Sequence, residues 1–249
     1  MINIFFTGND NFEGDDLSSE FDETSEATWW KFWSSATFNK DEFETDKELL
    51  KNFYNKNGYR DFQINTDSLA YSDNKEDVDI YVDVYEGPQY KVRNVVWEGN
   101  SVYTANQLNS RLRFQKGDVY DLERFERNLR FNEAQDDVSS LYQDNGYLAF
   151  NIQPREEKVG QDSVDIIIRV VENNRFRIGT VEINGNTRTK EKVIRRELYT
   201  IPGDYYSRQY IFRSIQQLAN LQYFNVEKLY QTGVQPIPAN DSTVTVKYD

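Results

Sequence analysis

Cysteine and histidine are both missing from the 249-residue sequence. With them go disulfides, thiol nucleophiles, Cys/His zinc sites and every histidine-based acid–base scheme. A chain without thiols cannot misoxidise, so it suits an oxidising compartment as well as a reducing one. Long apolar runs are missing too: no stretch reaches the roughly 18 residues needed to span a bilayer as a helix. There is no P-loop, dinucleotide fingerprint or nucleophile motif, so no enzyme activity, cofactor or metal is expected. Positive charge is scarce, with 29 Lys+Arg against 42 Asp+Glu and a net charge of −13. Such a balance repels phosphate backbones, which disfavours nucleic acid as a partner, and also repels anionic membrane faces. The N-terminus, MINIFFTGND, has neither a basic n-region nor a cleavage site. Met1 is therefore expected to be an artificial start within a longer natural chain.

Aromatics are what the chain has in excess: 17 Tyr, 16 Phe and 4 Trp, or 15% of residues. They offset a low hydrophobic fraction of 38%, because each large ring buries about 150–250 Å². The chain is folded, and its length suits two or three domains.

Residues 57–64 read NGYRDFQI and residues 145–152 read NGYLAFNI, 88 positions later. A second repetition runs through the chain as Gly-Asn pairs at Gly8-Asn9, Gly99-Asn100 and Gly185-Asn186, spaced 91 and 86 residues apart. Before each pair stands a short β-branched and aromatic run that reads as a strand, and after it a turn and a helix start. An aliphatic residue follows each Gly nine positions on, as Leu17, Leu108 and Ile194. A second helix is expected at 41–58, then from Leu122 through Tyr142, then along Ile211, Ile215 and Leu218. Gly58 and Gly146 stand where a helix takes a left-handed terminating residue. The final stretch of each repeat alternates cleanly. VDIYVDVYEG (78–87) sets Val78, Ile80, Val82 and Val84 on one face and Asp79, Tyr81, Asp83 and Tyr85 on the other. VDIIIRVVE (164–172) and STVTVKYD (242–249) behave alike, so these three read as central strands. Each repeat spells β-α-α-β-β, an α+β unit with two helices on one face of a small sheet.

That order, with Gly-Asn after the first strand and helix-Gly-Tyr before the second, resembles the POTRA (polypeptide-transport-associated) domain family. The likeness covers essentially the whole chain as three tandem repeats, with boundaries expected at 1–87, 88–173 and 174–249. The junctions EGPQYKVRNVVWEGN (86–100) and ENNRFRIGTVEINGN (172–186) resemble inter-domain linkers of BamA-type outer-membrane assembly proteins. VIRRELYTIPGDYYS (193–207) with LQYF (221–224) resembles their barrel-proximal domain, which makes the chain similar to domains 3, 4 and 5 of a five-domain array. The resemblance implies three-stranded mixed sheets and a periplasmic scaffold at the outer membrane, ahead of a C-terminal membrane β-barrel. It further implies unfolded outer-membrane proteins and accessory assembly lipoproteins as partners. The sequence departs from the family pattern at Gln222, where Gly is common, and at Pro202, where the best-studied relatives carry Glu.

An exposed sheet edge is a row of unpaired N–H and C=O groups onto which an extended client can add a strand. Prolines, tolerated at edges, mark the second strand of the last two repeats as the edge: Pro154 closes the strand begun at Tyr147, and Pro236 and Pro238 follow NVEKLYQT (225–232). The family resemblance implies the same for the strand begun at Tyr59. The candidate client-binding residues are Asp61, Phe62, Gln63 and Ile64 in the first repeat. Leu148, Ala149, Phe150 and Asn151 are their counterparts in the second. By resemblance, Arg195, Arg196, Glu197, Pro202 and Gly203 are candidates to face an accessory protein. Two other functional readings stay open: the periplasmic arm of a related translocation or secretion transporter, and a repeat-built surface-binding array.

Three further stretches invite sharper readings. Residues 9–20 place Asn9, Asn11, Glu13, Gly14, Asp15 and Glu20 at calcium-loop positions, but a strand precedes them and the other repeats carry no acidic loop there. An acidic solvated turn is the better reading. ATWWKFWSS (27–35), with Trp29, Trp30 and Trp33, is an insertion expected to pack over the helices or to form a docking patch. The basic stretch 111–130 carries interspersed acids and reads as a salt-bridged helix surface.

Overall fold

The computed structural model describes residues 2–21, 40–71, 78–186, 189–231 and 233–249, with backbone alone at Val226. The first repeat runs β1 (Ile2–Thr7), α1 (Gly14–Ser18), α2 (Lys40–Lys56), β2 (Gln63–Tyr71) and β3 (Val78–Tyr85). The second runs β4 (Lys91–Glu98), α3 (Ala105–Leu112), α4 (Leu122–Arg130), α5 (Val138–Gln143), β5 (Asn151–Val159) and β6 (Ser163–Val171). The third runs β7 (Arg177–Ile183), α6 (Glu191–Arg195), α7 (Arg208–Asn220), α8 (Val226–Gln231), β8 (Val234–Pro238) and β9 (Thr243–Tyr248). Among the described residues no helix is long and apolar enough to cross a membrane.

Three mixed sheets result, ordered β1-β3-β2, β4-β6-β5 and β7-β9-β8. The last strand of each repeat is central, as its alternation predicts. β3 pairs in parallel with β1 and antiparallel with β2, and β9 does the same with β7 and β8. One face of β3 carries the buried Val78, Ile80, Val82 and Val84. Each such side chain contributes about 1.5–3 kcal/mol on burial, which fixes register because a one-residue slip would turn all four to solvent.

The chain falls into two units, Met1–Val95 with Phe114–Phe125 and Glu156–Ile166, and Val96–Arg113 with Glu126–Arg155 and Ile167–Asp249. In the first unit Leu17, Phe43, Leu50 and Tyr54 from the helices meet the β3 valines and Ile80. Phe12 sits edge-on to Phe53, Tyr54 and Tyr59 at centroid distances of 4.9, 5.2 and 5.5 Å. In the second unit Ile194, Ile211, Ile215, Leu218 and Leu229 pack with Val244, Val246 and Tyr248.

The Gly-Asn pairs do one job three times. Asn9, Asn100 and Asn186 each donate from Nδ2 to the carbonyl three residues on, at Phe12 (2.9 Å), Tyr103 (2.8 Å) and Thr189 (3.1 Å). A Cβ on Gly8 would stand 2.1 Å from the Val84 oxygen, and one on Gly99 would stand 2.4 Å from that of Val170. The loop can thus lie against the central strand in those two repeats with no side chain at this position.

Two expected elements differ. The second helix of the middle repeat is two helices, broken at 131–137, where Gln135 takes φ +56°. Asp137 opens α5 by accepting from the Ser140 N–H. NVEKLYQT is not a strand: Val226–Gln231 is helical, with the Asn225 side chain accepting from the Lys228 N–H at 3.0 Å. The edge strand is β8 itself, and it contains Pro236 and Pro238 instead of preceding them. At the departure from the family pattern, Gln222 adopts φ +59°, the left-handed region that Gly58 (+90°) and Gly146 (+97°) also occupy.

Candidate sheet-edge and joint sites

Among the described residues β2, β5 and β8 each pair on one side only, leaving the other row of backbone groups without a strand partner. They are unequal. β5 spans nine residues with Pro154 fourth among them, and β8 spans five with two prolines. β2 spans nine with none, so each of its residues keeps an N–H. It follows β3 from Gln63↔Tyr85 to Tyr71↔Val78 with a bulge between Ile64 and Thr66. Beside it lies a groove of ≈ 660 Å³, lined by Glu44, Lys47, Glu48 and Lys51 of α2 and by Phe62 through Asp67. Lys47 spans the groove, bonding Glu44 at 2.8 Å and Asp67 at 2.9 Å. Burial pushes the Lys47 pKa down, but the two acids outweigh it and hold the amine above its ordinary value.

The sequence-derived edge residues divide. Gln63 and Ile64 open β2, and Asn151 opens β5. Asp61, Phe62, Leu148, Ala149 and Phe150 lie in the turns before those strands, which begin four residues after Tyr59 and Tyr147. The cause is local: the N–H groups of Tyr59 and Tyr147 still close the preceding helix, donating to Tyr54 and Tyr142 at 2.9 and 3.2 Å. Phe62 stacks on Tyr54 at 4.0 Å and Phe150 on Tyr142 at 4.1 Å. Leu148 packs against the third repeat's core, and the Ala149 carbonyl accepts from Asn173 at 2.6 Å.

Those turns serve as joints between repeats, a role that sequence reading did not find. In the first unit the Tyr90 N–H donates to the Gly58 carbonyl at 2.8 Å, and in the second the Phe176 N–H donates to Gly146 at 2.8 Å. Each linker is then tied down in the same way. Val92 N–H donates to Asp118 O, Gly117 N–H to Val92 O and Tyr120 N–H to Tyr90 O, at 2.8, 2.8 and 2.9 Å. Ile178, Gly203 and Tyr206 repeat this with Asp204, Ile178 and Phe176 at 2.8, 2.7 and 3.0 Å. The signal was present in sequence: an aromatic four residues after Glu86 and Glu172, and a Gly-Asp pair 27 residues later in both copies.

Side chains distinguish the joints. In the first, Asp61 accepts from Lys158 and from the Tyr90 hydroxyl, the latter at 2.8 Å. Lys158 first, then Tyr90, holds the Asp61 carboxyl below its ordinary value. Arg60 bonds Glu156 at 3.0 Å, and the Tyr120 hydroxyl donates to the same carboxylate at 3.0 Å. In the second, Asp144 accepts from the Gln209 N–H at 2.7 Å and from Ser207 at 3.4 Å. Burial pushes its carboxyl up, and those bonds only partly offset the rise. Arg175 and Arg177 lie over the Tyr205 ring at 3.3 and 3.8 Å.

Among the candidates in the third repeat, Arg195 bonds Glu191 at 2.6 Å and the Val181 carbonyl at 3.0 Å. Arg196 pairs with Glu197 at 2.7 Å. Pro202 and Gly203 lie in an exposed turn, and the Gly203 carbonyl accepts from Arg177 at 2.7 Å. Tyr199, Ile201 and Tyr210 are exposed nearby in the chain.

The acidic loop after β1 is committed to its own fold: Asn11 donates to Glu86, and α1 begins at Gly14. Among the described residues no group of three or more acids gathers to hold a metal. The basic stretch forms the expected ion pairs, with Arg113–Asp136, Arg124–Asp118 and Arg130–Glu126 in place. The insertion carrying Trp29, Trp30 and Trp33 lies outside the described residues.

Known proteins share this architecture. The family described as POTRA: Surface antigen variable number repeat matches residues 2–87, 90–173 and 176–249. The chain is 26% identical over 223 residues to an outer membrane protein assembly factor BamA of Neorickettsia risticii, covering 89% of the chain and 29% of that protein. It is 27% identical over 227 residues to the BamA of Neisseria meningitidis serogroup B, covering 90% of the chain and 28% of that protein. It therefore spans less than a third of the length of these curated relatives. The crystal structure of Haemophilus influenzae BamA POTRA3-5 aligns with a TM-score of 0.70 at 20% identity, covering 100% of this chain and 94% of that one. With the family matched in three consecutive segments and the three-stranded sheets in place, the chain belongs to the POTRA family, as three tandem repeats.

Proposed function

We propose that repeats 1–87, 88–173 and 174–249 form a non-enzymatic periplasmic scaffold for outer-membrane β-barrel assembly. Unfolded barrel strands would be taken up by β-augmentation. Two relatives named as outer membrane protein assembly factors support the process. The observation that carries the mode is β2, a nine-residue edge without proline, beside a groove. A membrane-spanning barrel strand needs about 9–11 residues, so one client strand matches this edge in length. Main-chain bonds ignore side-chain identity, which lets one edge serve many clients. β5 and β8 are interrupted by proline and serve as weaker edges. Arg195, Arg196, Glu197, Pro202 and Gly203 are proposed to face an accessory lipoprotein, with a membrane β-barrel belonging to the same full-length protein.

Gln63→Pro in the full-length protein should slow assembly of a barrel client several-fold while the repeats keep their circular dichroism. Asn151→Pro should do less, because β5 already contains Pro154. Unchanged assembly by Gln63→Pro with the fold intact would overturn the proposal.

A further inference from the structure

Among the described residues, helices cover one face of the first sheet, and the other face is open and patterned. Along β3 it shows Asp79, Tyr81, Asp83 and Tyr85 in alternation, spaced about 7 Å apart. Phe5 of β1 is the register partner of Tyr81 and stacks on it at 5.2 Å. These are large exposed rings: Phe5 is 46%, Tyr81 45% and Tyr85 52% accessible.

Among the described residues the two carboxylates have neutral donors alone. Asn3 donates to Asp79 at 2.8 Å, while Thr7 and Asn65 donate to Asp83 at 2.9 and 3.0 Å. Corresponding faces of the other repeats are neutralised from within. Asp165 on β6 is paired with Arg93, and Glu182 on β7 with Lys247 at 3.4 Å. The imbalance extends to whole repeats: residues 1–87 hold 21 Asp+Glu against 7 Lys+Arg, whereas residues 174–249 hold 7 against 11.

We propose that this open face is a docking surface for an arginine-bearing segment of a partner protein. A guanidinium laid over Tyr81 has carboxylates on both sides, each able to accept paired N–H donors, and a ring face beneath it. Arginine suits this arrangement better than lysine, whose ammonium is compact and strongly hydrated. The face is distinct from the β2 edge, so this surface and the client-binding edge stand or fall separately.

The test titrates the 249-residue chain with a synthetic peptide of alternating Thr and Arg, and with its Lys, Glu and Leu counterparts, followed by NMR. The arginine peptide should shift the side-chain resonances of Phe5, Tyr81 and Tyr85 and bind more tightly than the lysine form. Asp79→Asn with Asp83→Asn should weaken binding at least tenfold. Asp15→Asn with Asp16→Asn removes the same charge from α1 and should leave binding unchanged. Tyr81→Phe should bind as the parent does and Tyr81→Ser should not. This exposed position carries the test even if the asparagine pair unfolds. The proposal is overturned by equal loss in the α1 control, by shifts confined to β2 amides, by equal binding of the Glu or Leu peptide, or by self-association through this face.

Discussion

Glu86, a buried carboxylate just past β3, ties three segments of the first repeat together. It accepts from the Asn11 backbone at 3.1 Å, from the Asn11 side chain at 2.5 Å and from the Tyr54 hydroxyl at 2.9 Å. Glu172 repeats the arrangement with the Val102 N–H at 2.9 Å and the Tyr142 hydroxyl at 3.0 Å. Burial pushes the Glu172 pKa up, but bonds from Ser101, Val102 and Tyr142 outweigh it and hold the carboxylate below its ordinary range. Tyr54 and Tyr142 are pushed strongly up, first by burial and then by the carboxylate each one meets. Glu86→Ala would strand a buried hydroxyl, costing about 2–3 kcal/mol of first-repeat stability. Glu172→Ala, at a less buried site, should cost about 1 kcal/mol. Denaturant melts resolved by repeat through NMR check the order, and a larger loss at Glu172 would contradict it. Nothing in one copy of the sequence marks this carboxylate. Its signal is recurrence: Glu follows the alternating strand in two repeats, 32 and 30 residues after the partner tyrosine.

At the scale of elements, legibility followed periodicity. The central strands were readable because alternation over eight or nine residues has one physical solution, a half-buried strand paired on both sides. The β5 and β8 edges were readable through proline, which is excluded from central ladders, whereas β2 carries none and was readable only by its likeness to the other repeats. The errors fall where two periods compete over few residues. Val226, Leu229 and Tyr230 fit a helix as well as a strand, and Asn225 settles it by capping the Lys228 N–H. The stripe from Leu122 to Tyr142 hid a break because each half has buried apolar residues at helical spacing of its own, Phe125 with Leu129 and Val138 with Tyr142. The clue was Asp137, whose carboxylate accepts from the Ser140 N–H at 2.8 Å, the Ser140 hydroxyl at 2.7 Å and the Asn132 N–H at 3.1 Å. Asp137→Ala removes a cap and a buried acceptor together, and should cost about 2 kcal/mol. Amide exchange across residues 138–143 should accelerate first. Protection unchanged there would show that packing alone holds α5.

Across the whole molecule, the joints share a backbone pattern but carry carboxylates of opposite sign in their response to pH. Asp61 has its pKa depressed by Lys158 and Tyr90, with Arg60 adding to the effect. Its stabilisation is complete above the unfolded carboxylate value and is lost as pH falls through the depressed one. Asp144 has its pKa raised by burial and by Asp137, against the opposing Gln209, Ser207 and Arg208. Its charge therefore costs the folded state stability near neutrality, and that cost fades as pH falls through the raised value. The joint amides report this directly, because Tyr90 N–H is bonded to Gly58 and Phe176 N–H to Gly146. Lowering pH from 7 towards the ordinary aspartate value of 3.8 should leave Tyr90 protection unchanged and raise that of Phe176. Below 3.8, Tyr90 should lose protection as Asp61 takes its proton. Exchange rates normalised to the intrinsic rate at each pH make the comparison. Loss of Phe176 protection above 3.8 would mean that the Asp144 charge, despite its burial, holds the second joint together.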